Sequence, residues 1–504
     1  MTLRMALTLT LIFAFAPISS ETADQRGMYF DKKVYVPEPL PTFEKSRKLL
    51  PEPILDSRPE LVDLYWAAWK IGFSHIQKPE PKSPFVSNYM DAAFSSHIFQ
   101  WDTIFITRFA VYGQRAFNAI QSLDNFYCRQ RQDGYISREI VKSNGADYVY
   151  VDKKHTVNPP LFAWAEVVYS EQTGDTKRFA SVYRPLVKYA EWLEIGRRSH
   201  GAVHGLYWNT GLGSGMDNTP RKGSGWIDMS SQMVMMYRSL AEIARSLGRA
   251  TEAQRYDARA TDITARIQRF MWDDSDGLFY DVDDSGHFAK KKTLASFWPL
   301  LAGVATDKQA ERAIVHLSDP KEFWRRHTWP SLAADEPEYS SDGHYWKGGV
   351  WAPTNAMVVE GLRRYPSVQG AWWLARLGAE KHLANLSEVH RKTGTIWEFY
   401  KPDSAEPGKI WWFLEARKDF VGWSGLGPIQ FLIEETLGFR VDAKTRRVIW
   451  VVEEKGRHGI KRLPVGQATL DLIARAQAPG SALEVEVGFA PGPDGRSVTL
   501  DILW

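Results

Sequence analysis

One cysteine, Cys128, is all that this sequence of 504 residues holds, so no intramolecular disulfide can form. For an exported chain of this size, that scarcity fits a bacterial periplasm better than a eukaryotic secretory route. No CxxC or HExxH pattern occurs, which argues against a zinc centre. Charge of either sign is not in excess: 63 basic and 60 acidic residues leave a net +3, with no basic stripe for nucleic acid. Long hydrophobic runs are also missing. The longest, Met5 to Ala16, is too short to span a bilayer. It follows Arg4 and precedes the small residues Ser19 and Ser20, the pattern of a signal peptide over 1–22. The expectation is therefore a secreted or periplasmic protein with no membrane attachment once that segment is removed.

What is abundant is apolar and aromatic. Apolar residues make up 44% of the chain, enough for a large core, and there are 21 tryptophans. Tryptophan offers a broad apolar face and one N–H donor, which suits a helical core and equally the C–H face of a sugar ring. Apolar spacings of 3 and 4 predict about twelve helices, near 59–76, 102–113, 115–130, 159–173, 177–198, 230–247, 250–271, 294–304, 307–317, 353–366, 368–388 and 424–437. Their connections alternate. After even-numbered helices come short turns such as "TGDTK" and "LGRAT"; after odd-numbered ones come long loops, at 76–101, 131–158, 199–229, 272–293, 318–352 and 389–423. Short links imply antiparallel neighbours, so every long loop falls at one end. Six such hairpins in a ring make an all-α (α/α)6 toroid over 58–440 with a deep cleft at the long-loop end. Residues 23–57 read as an extended lead-in. From 441 to 504 the pattern alternates apolar and polar, as in "ALEVEVGFA", predicting a small antiparallel β-sheet domain.

Carboxylates and tryptophans recur in the long loops. The first ends in Trp101 and Asp102; the second holds Tyr135 and Arg138; the third holds "GSGMDNTPR" with Asp217, then Trp226 and Asp228. The fifth holds Trp346, Lys347 and Trp351, and the sixth Trp397, Glu398 and Trp423. If the loops converge, the cleft is acidic and aromatic, suited to a carbohydrate. Two carboxylates across a scissile bond are the core of glycoside hydrolysis. Asp217 and Glu398 are the best pair, from loops three and six on opposite sides of the ring. Asp102 and Asp228 read as hydroxyl binders, with helix N-capping as the plainer role. The run "DDSDG" at 273–277 lacks the later Glu of an EF-hand loop and reads as a turn, so neither a metal nor a cofactor is expected.

The ordered set "FQWDTIF", "DGYISREI", "NPPLFAWA", "GSGMDNTPR", "WIDMSSQ", "FWPLLAG", "YWKGGVWAPTNAMVVEGLRRY", "GTIWEFYKP" and "GWSGLGP" resembles glycoside hydrolase family 63 and its mannosylglycerate-hydrolase-like relatives, with trehalases as more distant kin. The resemblance implies an (α/α)6 barrel and hydrolysis of an α-linked glycoside with anomeric inversion. It places Asp217 at the general acid and Glu398 at the general base. It puts Trp101, Asp102, Arg138, Asp228, Trp351 and Trp397 around the sugar. The chain departs from the family pattern at Lys347 and Gly349, where Arg and Pro are frequent, and at Phe399, where Asn is common.

The expected substrate is an oligosaccharide or small glycoside, of the α-glucoside or α-mannoside class. Two other readings fit such a scaffold. A polysaccharide lyase or sugar epimerase would use histidines, for which His204, His327 and His344 are the loop candidates. A glycan-binding protein would need neither Asp217 nor Glu398.

Overall fold

A computed structural model of the chain describes residues 25–31, 33–148, 157–475 and 482–504. The expected signal peptide, 1–22, lies outside the described residues. Twelve helical segments occupy the twelve predicted stretches: α1 (Pro59–Ser74), α2 (Gln100–Ala110), α3 (Asp124–Tyr127), α4 (Phe162–Thr173), α5 (Arg178–Gly196), α6 (Ile227–Ser246), α7 (Ala250–Phe270), α8 (Trp298–Leu301), α9 (Asp307–Ser318), α10 (Ala352–Arg363), α11 (Ala371–Thr393) and α12 (Gly427–Thr436).

Even- and odd-numbered helices differ in how they are buried. All eleven residues of α2 are buried, as are nearly all of α10. On α7 only Ala253, Tyr256, Ala260, Ile263 and Ile267 are buried, a single stripe at spacings of three and four. A helix buried all round must sit inside others; one with a single buried stripe covers them. Accordingly α2, α4, α6, α8, α10 and the turn Trp423–Leu426 leading into α12 touch one another in a closed cycle, while α7 packs against α6 and α11 against α10.

Local chemistry sets the ends. Pro59 opens α1, where no N–H is needed. Thr306 and Gln309 form a reciprocal cap on α9, an arrangement worth about 1 kcal/mol. α12 is a π-helix, as in the bond from Leu437 N to Leu432 O of 2.8 Å. The predicted helix 115–130 is broken into a 3-10 turn, Ala119–Leu123, and the single turn of α3. There Asn125 is buried and accepts from the backbone of Val86 (2.9 Å) and Ser87 (3.1 Å), so it serves the preceding loop rather than a longer helix. The "DDSDG" run is a turn: Gly277 at φ 75° closes it, and Lys290 reaches Asp273 at 2.5 Å and Asp276 at 2.9 Å.

The carboxy-terminal strands form two sheets. β1 (Glu52–Leu55), from the lead-in, pairs with β4 (His458–Val465), which continues to β5 (Ala468–Ala474) and β6 (Val485–Ala490), all antiparallel. The second sheet orders β2 (Phe439–Asp442), β3 (Arg447–Val451) and β7 (Thr499–Leu503). β3 and β7 run parallel, Arg447 opposite Thr499 and Val451 opposite Leu503, which corrects the expectation of a purely antiparallel unit. Alternation marks a strand but carries no direction. β7 returns to β3 only after the chain has built β4 to β6, and it docks on the free edge.

Candidate active site

A cavity of about 140 Å³ opens at the long-loop end, lined by Phe94, Phe99, Trp101, Asp102, Arg138, Asn158, Gly215, Asp217, Tyr345, Glu398, Arg417 and Trp423. An engineered cavity of roughly 150 Å³ admits a benzene ring, so this one is of single-ring size. Five of the six long loops reach it. The fourth, between α7 and α8, does not; it supplies Asp281 to an anchor described below.

The stretch around Asp217 is shaped by small residues. Thr210 caps the short helix Gly211–Ser214 through Gly213 N. Gly215 then reverses the chain at φ 78°, and a Cβ there would lie 3.1 Å from the Trp101 indole. Gly211 is equally constrained, since a Cβ would sit 2.2 Å from Asp217 O. Asn218 ties this loop to the fifth: its Nδ2 donates to His344 O (3.0 Å) and its Oδ1 accepts from Trp346 N (2.9 Å). His344 and Tyr345 both have positive φ, 35° and 63°, a strain that this latch holds in place. The Tyr345 hydroxyl thereby reaches Asp217.

Arg138 lies across the cavity, its Nη2 at 3.5 Å from Asp217 Oδ1 and its Nη1 at 2.6 Å from Glu139 Oε1. Strand pairing of His97–Phe99 with Glu139–Val141 fixes Arg138 beside the start of α2. Burial pushes the Asp217 carboxyl up to about 6, with Glu139 adding to the rise and Arg138 and Tyr345 opposing it.

Glu398 is 1% exposed. Its N–H donates to Arg417 O at 2.9 Å, and the Arg417 guanidinium grips its carboxylate. Burial still raises Glu398 to about 7 against that pull. Trp423 Nε1 donates to Glu398 O (3.0 Å) and Ser424 Oγ to Trp397 O (2.8 Å), pinning the segment from below. Behind it Trp346, Trp351 and Phe399 stack face to face, with centroids 3.9 Å and 4.1 Å apart. Asp102 is fully enclosed, and burial first, then the Glu398 charge, raises its carboxyl well above the usual range. Asp217 Oδ1, Asp102 Oδ1 and Trp101 Nε1 are buried with no hydrogen-bond partner among the described residues. Buried polar atoms are rarely left so, and those at a cavity wall point to a bound polar molecule.

Of the residues singled out from the sequence, Trp101, Asp102, Arg138, Asp217, Glu398 and Trp423 come together here. The others fall elsewhere. Asp228 is taken up by Arg221, which grips it through two bonds of 2.6 and 2.9 Å, and by Met229 N (2.8 Å); Arg221 Nε holds Asp281 at 2.8 Å. Tyr135 packs on Trp192 with centroids 4.9 Å apart. Trp346 and Trp351 form the stack behind Glu398, and the Lys347 backbone carbonyl accepts from Ser340 N. Trp397 lines a neighbouring groove. The loop histidines also miss the cavity: His204 bonds Ser224, His327 bonds Lys401 O, and His344 meets Trp411 edge-on. Phe94, Phe99, Asn158, Gly215, Tyr345 and Arg417 were not anticipated. Phe99, Asn158, Gly215 and Tyr345 sit inside motifs already marked, whereas Arg417 has no local signal; it arrives across a hairpin.

Known proteins resemble this chain in sequence and in fold. The profile of the mannosylglycerate hydrolase MGH1-like glycoside hydrolase domain matches residues 95–226 and 224–424. An uncharacterized protein of Borreliella burgdorferi is 26% identical over 388 residues, 75% of this chain and 80% of its own. The mannosylglycerate hydrolase of Rubrobacter radiotolerans is 32% identical over 131 residues, 25% of this chain and 29% of its own length. The GH63 mannosylglycerate hydrolase of Thermus thermophilus, solved with glucose, superposes with a TM-score of 0.57 at 18% identity, covering 73% of this chain and 99% of that one. The profile runs through every loop that builds the cavity, and on that ground the chain belongs to the MGH1-like family of glycoside hydrolases, as its sequence motifs had suggested.

Proposed function

We propose that the protein hydrolyses an α-linked glycoside with inversion, with Glu398 as general base and Asp217 as general acid. The observation that carries the reading is a pair of carboxyls, Glu398 buried and Asp217 part-buried, both raised in pKa, on the walls of one ring-sized cavity. Supporting the assignment of roles is their different pairing rather than the order of their pKa values, about 7 for Glu398 and about 6 for Asp217. Arg417 is committed to Glu398 and favours its carboxylate. Arg138 divides its charge between Asp217 and the nearer Glu139, which leaves Asp217 in an almost neutral setting where the proton is retained.

In this scheme Glu398 takes a proton from water as the water attacks the anomeric carbon. Asp217 gives its proton to the departing oxygen from the opposite side. A pair acting in this way stands about 6.5–9.5 Å apart to admit the water. Asp102, whose carboxyl burial pushes toward the protonated form, faces a sugar hydroxyl, and Trp101 offers its indole N–H. The closed cycle of inner helices supports an (α/α)6 toroid as the catalytic unit over 58–440, with 441–504 as a β-sheet unit. The mannosylglycerate hydrolases among the relatives, one of them solved with glucose, make α-mannosides and α-glucosides the first substrates to try. The composition of 1–22 supports export to the periplasm or beyond.

The test is a screen of α-linked disaccharides with NMR reading the anomer first released. Asp217→Asn and Glu398→Gln should each lower kcat by at least about 10². On an α-glycosyl fluoride, whose leaving group needs little protonation, Asp217→Asn should recover and Glu398→Gln should not. Unchanged turnover in both variants, or release of the α-anomer first, rejects the reading.

A further inference from the structure

Between Glu398 and Arg417 the chain makes a hairpin whose design is hard to explain by folding alone. Strands Lys409–Trp411 and Leu414–Glu415 pair, with Trp411 opposite Leu414, so Trp412 and Phe413 are the two turn residues. Two-residue hairpin turns favour Asn-Gly, Asp-Gly or Gly-Gly. Here the turn carries two large aromatics, and both face water: Trp412 is 83% and Phe413 69% exposed, with Trp411 at 51%. An exposed apolar cluster of this kind marks an interaction site.

The root of the hairpin is firmly held. Lys409 N donates to Asp342 O and Lys409 O accepts from Tyr345 N, both at 2.9 Å; Ala416 N donates to Gly408 O at 2.8 Å. Tyr345 is the residue that reaches Asp217, so the root is one hydrogen bond from the acid's partner. Under the tip runs a groove of about 710 Å³, walled by Trp397, Lys409, Trp412, Phe413, Glu415 and Arg417. Arg417 also lines the cavity and grips Glu398, so cavity and groove adjoin on either side of one side chain. The cavity has room for a single ring. Whatever is joined to that ring must lie outside it, and the groove is the adjoining space.

We infer that the Trp412–Phe413 hairpin is a stacking platform for the further sugar units of an oligosaccharide whose terminal ring occupies the cavity. This rests on the reading of the cavity as a glycosidase site. The walls fit a sugar chain: aromatic faces for C–H surfaces alternate with Lys409, Glu415 and Arg417 for hydroxyls. A tip that enters a bilayer would have no use for a concave polar wall beneath it. The platform makes the protein an enzyme of substrates longer than two rings.

The test uses the full chain, as wild type and as Trp412→Ala/Phe413→Ala, a surface change away from the core. The probes are α-glucosyl and α-mannosyl fluoride, which have no second ring, and α-linked gluco- and manno-oligosaccharides of two to four units. The double variant should lose about 10-fold in kcat/KM on the longer oligosaccharides while fluoride turnover stays unchanged. Equal loss on both probes, or no loss on either, overturns the inference. A second arm works without turnover: in Glu398→Gln, the same oligosaccharides should quench tryptophan fluorescence, and Trp412→Ala should remove most of that quench. If the quench depends on Trp412 but no probe is ever cleaved, the platform stands and the hydrolytic reading falls. If the wild type cleaves the fluorides and the quench ignores Trp412, the reverse holds. Binding to phosphatidylcholine/phosphatidylglycerol vesicles that the double variant loses, with oligosaccharide kinetics unaltered, would also overturn it.

Discussion

Asp217→Asn should make this protein more stable at alkaline pH and leave it nearly unchanged in acid. The Asp217 carboxyl rises from 3.8 to about 6 on folding. Between those values the folded state holds a proton that the unfolded state has released, so stability falls as pH rises through that window. Below it the penalty is absent; above it the penalty is complete. A shift of about two units corresponds to about 3 kcal/mol, an upper figure because the side chain keeps 19% exposure. Asparagine cannot ionise and escapes the term. The difference between variant and wild type should therefore grow by up to about 3 kcal/mol from pH 4 to pH 8. For a chain of 504 residues, an unfolding entropy of about 1 kcal/mol/K makes that about 3 °C in Tm. Differential scanning calorimetry of both proteins at pH 4, 5, 6, 7 and 8 reads it directly. Any constant offset from the altered contact with Arg138 cancels in the pH trend. A difference that does not change with pH, or one that shrinks toward pH 8, refutes the account of Asp217 as a carboxyl kept protonated by burial.

Three other outcomes follow from the same geometry. Arg417→Met removes a cation that lowers both Glu398 and Asp217, so the whole kcat/KM profile should move to higher pH; an unmoved profile would show that Arg417 does not set the pair. Arg221→Met leaves Asp228 and Asp281 buried without their counter-charge and should cost about 3–5 kcal/mol, seen as a large fall in the denaturation midpoint. Its control, Arg245→Met, breaks an exposed pair with Asp257 and should cost under about 1 kcal/mol in the same assay. Gly215→Ala forces a side chain to a φ of 78° against Trp101 and should cost roughly 1–2 kcal/mol, with a larger proportional loss in kcat/KM as Asp217 is displaced.

Parts of this site could be read directly from the sequence. Asp217 stood out because a lone carboxylate among Gly, Asn and Pro has no core role, and Glu398 because it sits between Trp397 and Phe399 in a Gly-marked loop. Trp101, Asp102 and Arg138 stood out as long-loop residues that the family resemblance puts around the sugar. Asp228 read as a hydroxyl binder or a helix cap and not as the partner of Arg221, because the residue that completes the trio, Asp281, comes from a different loop. Trp346 and Trp351 look like sugar platforms in a list of aromatics. Their stack with Phe399 shows that they brace Glu398 from behind. Phe399, where related sequences often carry Asn, contributes its ring to that stack.

Local pattern was enough to locate the twelve helical stretches and the end at which the long loops gather. Apolar spacing sets the buried stripe, and a short link forces antiparallel neighbours. Which arginine meets which acid was settled by the folded chain alone. So was the parallel pairing of β7 with β3, and the turning of Trp397 toward a groove rather than the cavity. Those outcomes depend on contacts between segments far apart in the chain, where a side chain's role is fixed by what the fold brings within a few ångströms of it, and no spacing pattern records that.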